Sequence, residues 1–525
     1  MPSAKTALIR ITCFILAGAV MLSAAMDSWT VSSSAVAQEN AREVVAGDSR
    51  GGFRHWTTSD GKRSGTRLKL VQQSGAEVRL QREDNGKIVT FSMARLSTQD
   101  RAFLKMPVAA PPNTPPSIPS RNRATQTGAA TANWPQWRGA NRDGKSHASG
   151  LMSKWPDAGP DLLWQIRGLG EGYSTPAVVG ETIYLLGTED DAAFVLALSR
   201  DDGRQLWKAP LGSKGGGGGF SGPKGTPTID GELLFAIGCD GTLACLRRDD
   251  GNLVWAKNLK QDFGGAPGHW EYAESPLIDG RKLICTPGGG TQTIVALNKT
   301  SGVPIWKSPI GNFADGGYVT AGYASTIAAD ILGTRQYIAF LHGGVVSVDA
   351  KTGTPLWRYD SPANSTANCS TSVVSGNNVF AASAYGTGGG RATLTRNGRT
   401  WNVKEDYFVK KMENHHGGFI LHEGYIYGTN NSVLLCLDWR NGALQWQNRC
   451  VGKGSVTLAE NHLYVRGEKG EVALVEATPD EYREKGRFKQ SDRSDKNAWA
   501  HPVVAGKRLY LHDQDRLMCY DLSDG

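Results

Sequence analysis

The sequence predicts an all-β protein in which an eight-bladed β-propeller follows a small β domain. A glycine recurs four residues before a tryptophan, and the tryptophans of these copies are spaced by 48, 51, 51 and 89 residues. Alternating strand segments precede each copy, so that each unit holds four short strands. The 65 glycines among 525 residues suit many tight turns. A period of this length is typical of repeat architectures.

The recurring phrase predicts a hairpin whose tryptophan packs between neighbouring blades. Glycine adopts positive φ without a Cβ clash, so it suits the polar turn that joins the two strands. A large flat side chain at the end of the second strand buries much apolar area. The docking residues predicted in this way are Gly203, Trp207, Gly251, Trp255, Gly302, Trp306, Gly353, Trp357, Gly442, Trp446 and Trp164.

The strand pattern predicts eight blades, two of which depart from the phrase. We expect blade five to be eroded, with a degenerate copy at Gly398 and Trp401, and blade seven to lack the Gly–Trp ending. Trp164 lies on a strand that can complete the last blade from the other end of the chain, which closes the ring and removes exposed edges. The blades begin near Ser174, Gly225, Glu274, Ser325, Ser370, His416, Gly454 and Ala500.

The first residues predict export from the cytoplasm. Lys5 and Arg10 precede an apolar stretch, 11–25, and small residues suited to cleavage end at Ala37, which gives a signal peptide over 1–37. The alternative is an uncleaved anchor, because the apolar stretch is near the lower limit for a membrane span. We therefore expect the protein to associate with a membrane only through such an anchor or through a partner.

Two further segments precede the propeller. Residues 42–105 contain Asp60–Gly61 and Asn85–Gly86, which predict hairpin turns between alternating strands. This segment resembles the Sla homology domain one, a small SH3-like barrel. The resemblance implies peptide binding, and a spacer or docking module is the alternative. Residues 106–132 are a proline-rich linker, and 133–525 form the predicted propeller.

The opening Trp134–Gly144, together with the repeat phrase, resembles the pyrroloquinoline-quinone-type (PQQ-type) repeat family. It is most similar to the exported BamB-like propellers of planctomycetes. The resemblance covers 134–525 and implies either a non-catalytic scaffold for envelope proteins or peptides, or a PQQ-dependent alcohol or sugar dehydrogenase. We expect the scaffold, located in the periplasm or cell envelope.

Resemblance to the dehydrogenases of this family implies a calcium ion held by Glu, Asn and Asp, a catalytic Asp, and usually a vicinal disulfide. No vicinal cysteines occur, and Cys245, Cys436 and Cys519 stand at small core positions of the repeat. The acids near blade starts fit no such pattern, so we predict no catalytic residue and no cofactor, with PQQ and calcium as the alternative. These acids are Glu171, Glu271, Glu274, Asp315 and Glu413.

The blade starts also predict a binding site at one mouth of the channel, because loops at propeller ends carry binding residues on a rigid scaffold. Aromatic loops there could stack a saccharide or a peptide. The candidate mouth residues are His269, Trp270, Tyr272, His415, His416 and His501. Other aromatic candidates are Tyr173, Tyr318, Tyr323 and Tyr385. Neutral imidazoles of His269, His342, His416 and His501 are an alternative metal site.

Charge and the remaining motifs exclude other classes. The net charge is +8, but the sequence contains no basic stripe with interleaved aromatic residues, which disfavours nucleic-acid binding. The run Gly215–Gly219 lacks the Lys–Ser/Thr ending of a P-loop and predicts a mobile loop. We expect a monomer that binds envelope proteins or peptides.

Overall fold

A computed structural model describes residues 55–60, 62–74, 77–96, 133–311 and 320–524. The chain divides into two compact units, Met1–Ser120 and Arg121–Gly525. The predicted signal peptide and the proline-rich linker lie outside the described residues, as does Tyr318. Within the described ranges, no helix has the length and apolar character needed to cross a bilayer.

The first unit contains a three-stranded antiparallel sheet. Its strands are β1 (Leu68–Ser74), β2 (Glu77–Arg82) and β3 (Ile88–Ser92), followed by a 3-10 turn, Met93–Arg95. The predicted Asn-Gly turn joins β2 to β3, with Gly86 at φ +70°. The sheet covers a small core of Trp56, Leu68, Leu70, Val78, Leu80, Phe91 and Leu96.

The regular secondary structure of the second unit is almost wholly strand, which confirms the all-β class. Over the described residues it contains eight four-stranded antiparallel sheets, numbered here in chain order. Sheet 1 contains β5 (Ala177–Val179), β6 (Thr182–Glu189), β7 (Ala192–Ser199) and β8 (Gln205–Ser213), and sheet 2 contains β9 (Thr228–Asp230), β10 (Leu233–Ile237), β11 (Thr242–Arg247) and β12 (Leu253–Asn258). Sheet 3 contains β13 (Leu277–Asp279), β14 (Lys282–Cys285), β15 (Ile294–Asn298) and β16 (Pro304–Ser308), and sheet 4 contains β17 (Ile327–Ile331), β18 (Thr334–Leu341), β19 (Gly344–Asp349) and β20 (Pro355–Tyr359).

Sheets 5 to 8 repeat this order, and each begins within three residues of a predicted blade start. Sheet 5 contains β21 (Val373–Ser375), β22 (Asn378–Ser383), β23 (Gly388–Asn397) and β24 (Thr400–Val409), and sheet 6 contains β25 (Phe419–His422), β26 (Tyr425–Thr429), β27 (Leu434–Asp438) and β28 (Leu444–Asn448). Sheet 7 contains β29 (Gly454–Ala459), β30 (His462–Gly467), β31 (Glu471–Glu476) and β32 (Glu484–Lys489), and sheet 8 contains β33 (Val503–Ala505), β34 (Arg508–Asp513), β35 (Arg516–Asp521) and β4 (Leu162–Arg167). The short helix Leu259–Phe263 and the 3-10 turn Gly217–Gly219 lie between sheets.

Sheet 8 joins strands from two distant parts of the chain. Strand β4 pairs antiparallel with β35, and Trp164 lies opposite Cys519, which is the strand pairing expected for Trp164. A core cluster places Tyr510 and Leu517 of sheet 8 against Ile183 and Leu198 of sheet 1. Seven further clusters join each sheet to the next along the chain.

The repeat tryptophans contact the following sheet rather than the glycine of their own phrase. A Cβ built on Gly251 would lie 2.6 Å from the ring of Trp207, and the Trp207 indole N–H donates to the carbonyl of Arg248 at 3.1 Å. Glycine is therefore needed at this turn for two reasons. Its φ is +72°, and the tryptophan ring beneath it leaves no room for a Cβ. The other pairs of this kind are Trp164 with Gly203, Trp255 with Gly302, and Trp306 with Gly353.

Sheet 5 is extended, so the prediction of an eroded blade with a copy of the phrase at Gly398 and Trp401 is wrong. Its outer strands have ten residues each, and Trp401 lies opposite Arg396 near the hairpin tip. The tryptophan position, marked by a bulge in the strand pairing, holds Tyr407. A Cβ on Gly442 of sheet 6 would lie 2.5 Å from the Tyr407 ring.

Sheet 7 lacks its own aromatic residue, as predicted, and a residue from elsewhere fills the place. Gly486 stands at the tryptophan position, and a Cβ there would lie 2.6 Å from Trp155. The backbone N–H of Trp155 donates to Lys485 at 2.9 Å. The buried Trp155 ring packs on Tyr464 and Phe488, with centroids 5.8 and 5.4 Å away.

Candidate functional site

A segment that precedes the sheets, residues 133–146, lies against their innermost strands; we call it the central segment. It forms a bridge with β5 through Trp134 and a parallel bridge with β29 through Lys145. It is hydrogen-bonded to the innermost strand, or to the residues just before it, in all eight sheets over the described residues. Its bonding partners, in the order of the sheets, are Val178, Ile229, Ser275, Thr326, Thr371, Phe419, Leu458 and Val504.

Two buried arginines fix the central segment to different sheets. Arg142 donates to the carbonyls of Ser275 and Thr326 at 3.1 and 2.9 Å, and Arg138 donates to the carbonyl of Phe419 at 2.6 Å. Burial lowers the pKa of Arg142 to about 9 and that of Arg138 to about 10. Because buried guanidinium groups are costly without partners, these carbonyl bonds hold the segment in one place.

A cavity of about 330 Å³ lies at the end where the inner strands begin. Trp137 of the central segment lines it, and its indole N–H donates to Thr371 at 2.9 Å. The cavity is within the usual size range for small-ligand pockets. Its remaining lining residues are Tyr173, Thr175, Phe220, Lys224, Trp270, Ala273, Ser275, Tyr323, Ser325, Ala367, Cys369, Tyr385, His415, His416, Lys453, Asn497 and Trp499.

Aromatic rings form much of the cavity wall. Trp499 lies 4.7 Å from Tyr173 and 4.8 Å from Phe220 between ring centroids, with interplanar angles of 32° and 34°. Trp270 and Tyr323 make an edge contact at 5.7 Å. Rings that pack on one another in this way present fixed flat surfaces to a ligand.

A hydrogen-bonded carboxylate stands behind this wall. Glu468 accepts bonds from the Trp499 indole at 2.6 Å and from His416 Nε2 at 3.0 Å, and pairs with Lys453 at 3.3 Å. Burial alone would raise the pKa of Glu468, but these donors lower it to about 2. The carboxylate is therefore ionised and already engaged. It orients Trp499 and His416 and is not a spare base for catalysis.

Three histidines near the cavity have lowered pKa values. Burial lowers the pKa of His416, lowers that of His415 to about 2, and, with the charge of Arg138, lowers that of His501 to about 3. His501 contacts the carbonyl of His416 through Nε2 at 2.9 Å. His415 contacts the Tyr385 hydroxyl at 3.1 Å.

The structure brings together some of the predicted mouth residues and not others. Trp270, His415 and His416 line the cavity, and His501 packs on Trp137 with ring centroids 4.6 Å apart. His269 is exposed beside Trp270 and does not line the cavity. The inclusion of Tyr272 is wrong, because its ring is buried between sheets 2 and 3 and its hydroxyl donates to Pro287 at 2.8 Å.

The glycine run packs against this same loop. A Cβ on Gly217 would lie 2.2 Å from the carbonyl of His269, and one on Gly218 would lie 2.6 Å from the Trp270 indole nitrogen. The backbone N–H of Gly216 donates to Glu271 at 2.6 Å. The absence of side chains therefore lets the run approach Trp270 and place Phe220 at the cavity.

Hydroxyl groups at the blade starts connect neighbouring sheets. Ser275 accepts from the N–H of Thr226 at 2.8 Å, and Ser325 accepts from the N–H of Ser275 at 2.9 Å. Thr175 accepts from the N–H of His501 at 3.0 Å. These residues line the cavity, yet each also stabilises a joint between two sheets.

The donor set of the cavity does not fit calcium or a catalytic carboxylate. Its lining contains two lysines and no aspartate or glutamate, whereas calcium takes hard oxygen ligands with negative charge. Glu274 is buried away from the lining, and burial raises its pKa to about 7. Within the described ranges, no three His, Cys, Asp or Glu residues are grouped to hold a metal ion, and the described cysteines are free.

Sequence reasoning missed Trp137, Phe220, Lys224, Lys453 and Trp499. A positional signal was present: the residue immediately before a predicted blade start lines the cavity in seven of the eight sheets. These residues are Tyr173, Lys224, Ala273, Cys369, His415, Lys453 and Trp499. One position per repeat therefore lines the mouth.

Comparisons with known proteins agree with this architecture. Residues 191–448 match the model of the family PQQ_2, described as outer membrane protein assembly factor BamB. The protein of that name from Burkholderia pseudomallei is 27% identical over 270 residues, which are 44% of this chain and 67% of that protein. Its counterpart from Xanthomonas campestris is 27% identical over 154 residues, or 29% of this chain and 32% of that protein.

Two solved structures share the fold. BamB from Moraxella catarrhalis has a TM-score of 0.50 at 16% identity, covering 70% of this chain and 99% of that one. A quinohemoprotein alcohol dehydrogenase from Comamonas testosteroni has a TM-score of 0.53 at 13% identity, covering 76% and 82%. At such identities the likeness concerns the β-propeller fold alone. The repeats of residues 191–448 are therefore similar in sequence to the BamB-like PQQ_2 repeat family.

Proposed function

We propose that this protein is an exported, non-catalytic scaffold that binds or assembles other proteins in the cell envelope, and that it acts as a monomer. The observation that carries the proposal is the match of its repeats to outer membrane protein assembly factors. A rigid framework with an aromatic cavity and no unengaged carboxylate at its lining suits binding better than turnover.

The proposed scaffold is an eight-bladed propeller closed on itself. The shared core of sheets 8 and 1 and the pairing of β4 with β35 support closure. The central segment, which bonds to every sheet described, supports one common axis. A closed ring leaves no free sheet face at its ends, so its loops keep fixed positions.

The first unit is proposed to be an SH3-like barrel that binds peptides. Its three-stranded sheet, strand β1 with a bulge after Leu70, and the bridge between Thr58 and Leu96 support a small curved barrel. Its pairing with this propeller is the reason for proposing the planctomycete type. A spacer role is the alternative for this unit.

The scaffold function is tested in the organism that carries the gene. We expect deletion to lower the folded fraction of outer-membrane β-barrel proteins, measured by the heat-dependent mobility of these proteins on gels. The full gene should restore it, and a gene lacking codons 42–105 would show whether the first unit contributes. Normal levels of folded proteins in the deletion strain would contradict the proposal.

A PQQ-dependent dehydrogenase is the alternative, since the fold likeness includes an alcohol dehydrogenase. The cavity lining disfavours it, because the lining contains two lysines and no carboxylate that could hold calcium. We expect the purified chain to bind no PQQ at micromolar concentration with calcium, measured by calorimetry, and to show no dye-coupled alcohol oxidation. Saturable turnover that a substitution in the cavity abolishes would establish the enzyme instead.

A further inference from the structure

The cavity offers flat aromatic surfaces together with positive charge. Lys224 lines it, and its ammonium group contacts only neutral atoms, the carbonyl of Gly222 at 3.3 Å and the sulfur of Cys239 at 3.6 Å. Among the described residues, no carboxylate lies within ion-pair distance of Lys224. A half-buried ammonium group without a counter-charge favours an anion beside it.

The second lysine does not cancel this preference. Lys453 shares Glu468 with His416 and Trp499, so one carboxylate already serves three donors. The lining contains no aspartate or glutamate, and burial lowers the pKa of His415 and His416, so the two lysines set the sign of the lining. The cavity is therefore suited to a ligand with at least one negative charge.

The same lining disfavours two other ligand classes. A saccharide needs many polar partners, but the hydroxyl oxygens of Thr175, Ser275 and Ser325 already accept backbone N–H bonds between sheets, which leaves each with mainly its O–H to offer. A cationic ligand would gain from the aromatic faces, but it would be repelled by Lys224 and Lys453. What remains is an aromatic ring with a carboxylate next to it.

We propose that the cavity binds an aromatic ring joined to a carboxylate, either as an acidic residue beside an aromatic one in a peptide segment or as a free aryl acid. The ring packs against Phe220, Tyr173 and Trp499, and the carboxylate meets Lys224. This inference rests on the proposed binding function and names the chemistry that the propeller recognises in a partner.

The test is calorimetric titration of the full mature chain with matched probes in EDTA. N-acetyl-Asp-Tyr-amide and 4-hydroxyphenylacetate represent the peptide and the free acid. N-acetyl-Asn-Tyr-amide and tyramine keep the ring but remove or invert the charge. We expect the acidic probes to bind about ten-fold more tightly than their counterparts. Comparison of the two acidic probes identifies the source.

Variants assign the binding to the cavity. Lys224→Met should weaken the acidic probes about ten-fold and leave the uncharged probe unchanged, whereas Lys351→Met, at an exposed turn, should change neither. Phe220→Leu should weaken all probes. Equal affinity for tyramine, no effect of Lys224→Met, or no binding of either acidic probe would overturn the inference. Rescue of the deletion strain by Lys224→Met alongside such a result would leave the scaffold function intact and remove only this site.

Discussion

Sheets 1 to 4 and sheet 6 end in the tryptophan of the repeat phrase, whereas sheets 5 and 7 fill the same joint differently. In the regular sheets the ring lies against the next sheet, and Trp255, for example, donates to Lys299 at 2.9 Å. Sheet 5 uses Tyr407, and sheet 7 accepts Trp155 from outside its own repeat. The difference indicates that the fold requires an aromatic ring at each joint, while the Gly–Trp phrase is one local way to supply it.

The largest effect should come from the ring that sheet 7 takes from outside its repeat. Trp155→Ala leaves a cavity between Tyr464 and Phe488, so we expect a loss of about 3–5 kcal/mol, measured as a shift of the urea-unfolding midpoint. Trp401→Ala is the matched control, because Trp401 is half-buried near the hairpin tip, and it should cost about 1 kcal/mol. Equal losses in the two variants would contradict the assignment of Trp155 as the joint residue.

The second effect concerns the tyrosine of sheet 5. Tyr407→Ala removes the ring that lies under Gly442 and should cost about 3 kcal/mol. Tyr407→Phe keeps the ring but loses the bond from the hydroxyl to the carbonyl of Trp439, 3.0 Å, and should cost about 1 kcal/mol. A phenylalanine variant as unstable as the alanine variant would show that the hydroxyl, and not the ring, stabilises the joint.

The regular sheets could be predicted from the sequence because each carries its signal locally. A turn glycine at positive φ and a tryptophan four residues later lie within one hairpin, so Gly251 and Trp255 mark their own strands. Trp155 gave no such signal, since its partner, Gly486, lies more than three hundred residues away. Trp401 was misleading, because a longer hairpin moved the turn away from the joint.

The candidate site was predicted in part for a similar reason. The blade starts were found from strand patterns, so His415 and His416 were expected at the mouth, and they line the cavity. The sequence could not distinguish Tyr272 from Trp270. The loop conformation decides that Tyr272 is buried and that Trp270 lines the cavity. Trp137 was missed because its place depends on a segment that bonds to all eight sheets described.

A third effect separates the two reasons why the turn residue is glycine, namely its positive φ and the tryptophan ring packed against it. Gly302 has φ +67°, and an added Cβ would lie 2.8 Å from the Trp255 ring, whereas Gly280 has φ +59° with open space around it. Gly280→Ala should cost about 1 kcal/mol through the backbone alone. Gly302→Ala should cost about 2–3 kcal/mol, because overpacking adds to that term. Equal midpoints in urea unfolding would mean that the aromatic ring yields without cost.

The smallest effect tests the hydroxyl contacts that join neighbouring sheets near the mouth. Ser325→Ala removes the acceptor of the Ser275 N–H, which is buried, so we expect a loss of about 1–2 kcal/mol. Ser301→Ala, at an exposed turn of sheet 3, is the control and should change stability by less than about 0.5 kcal/mol. If both variants unfold at the wild-type midpoint, the joints depend on aromatic packing alone. The hydroxyls would then be free to bond a ligand, and the argument against a saccharide in the cavity would lose its basis.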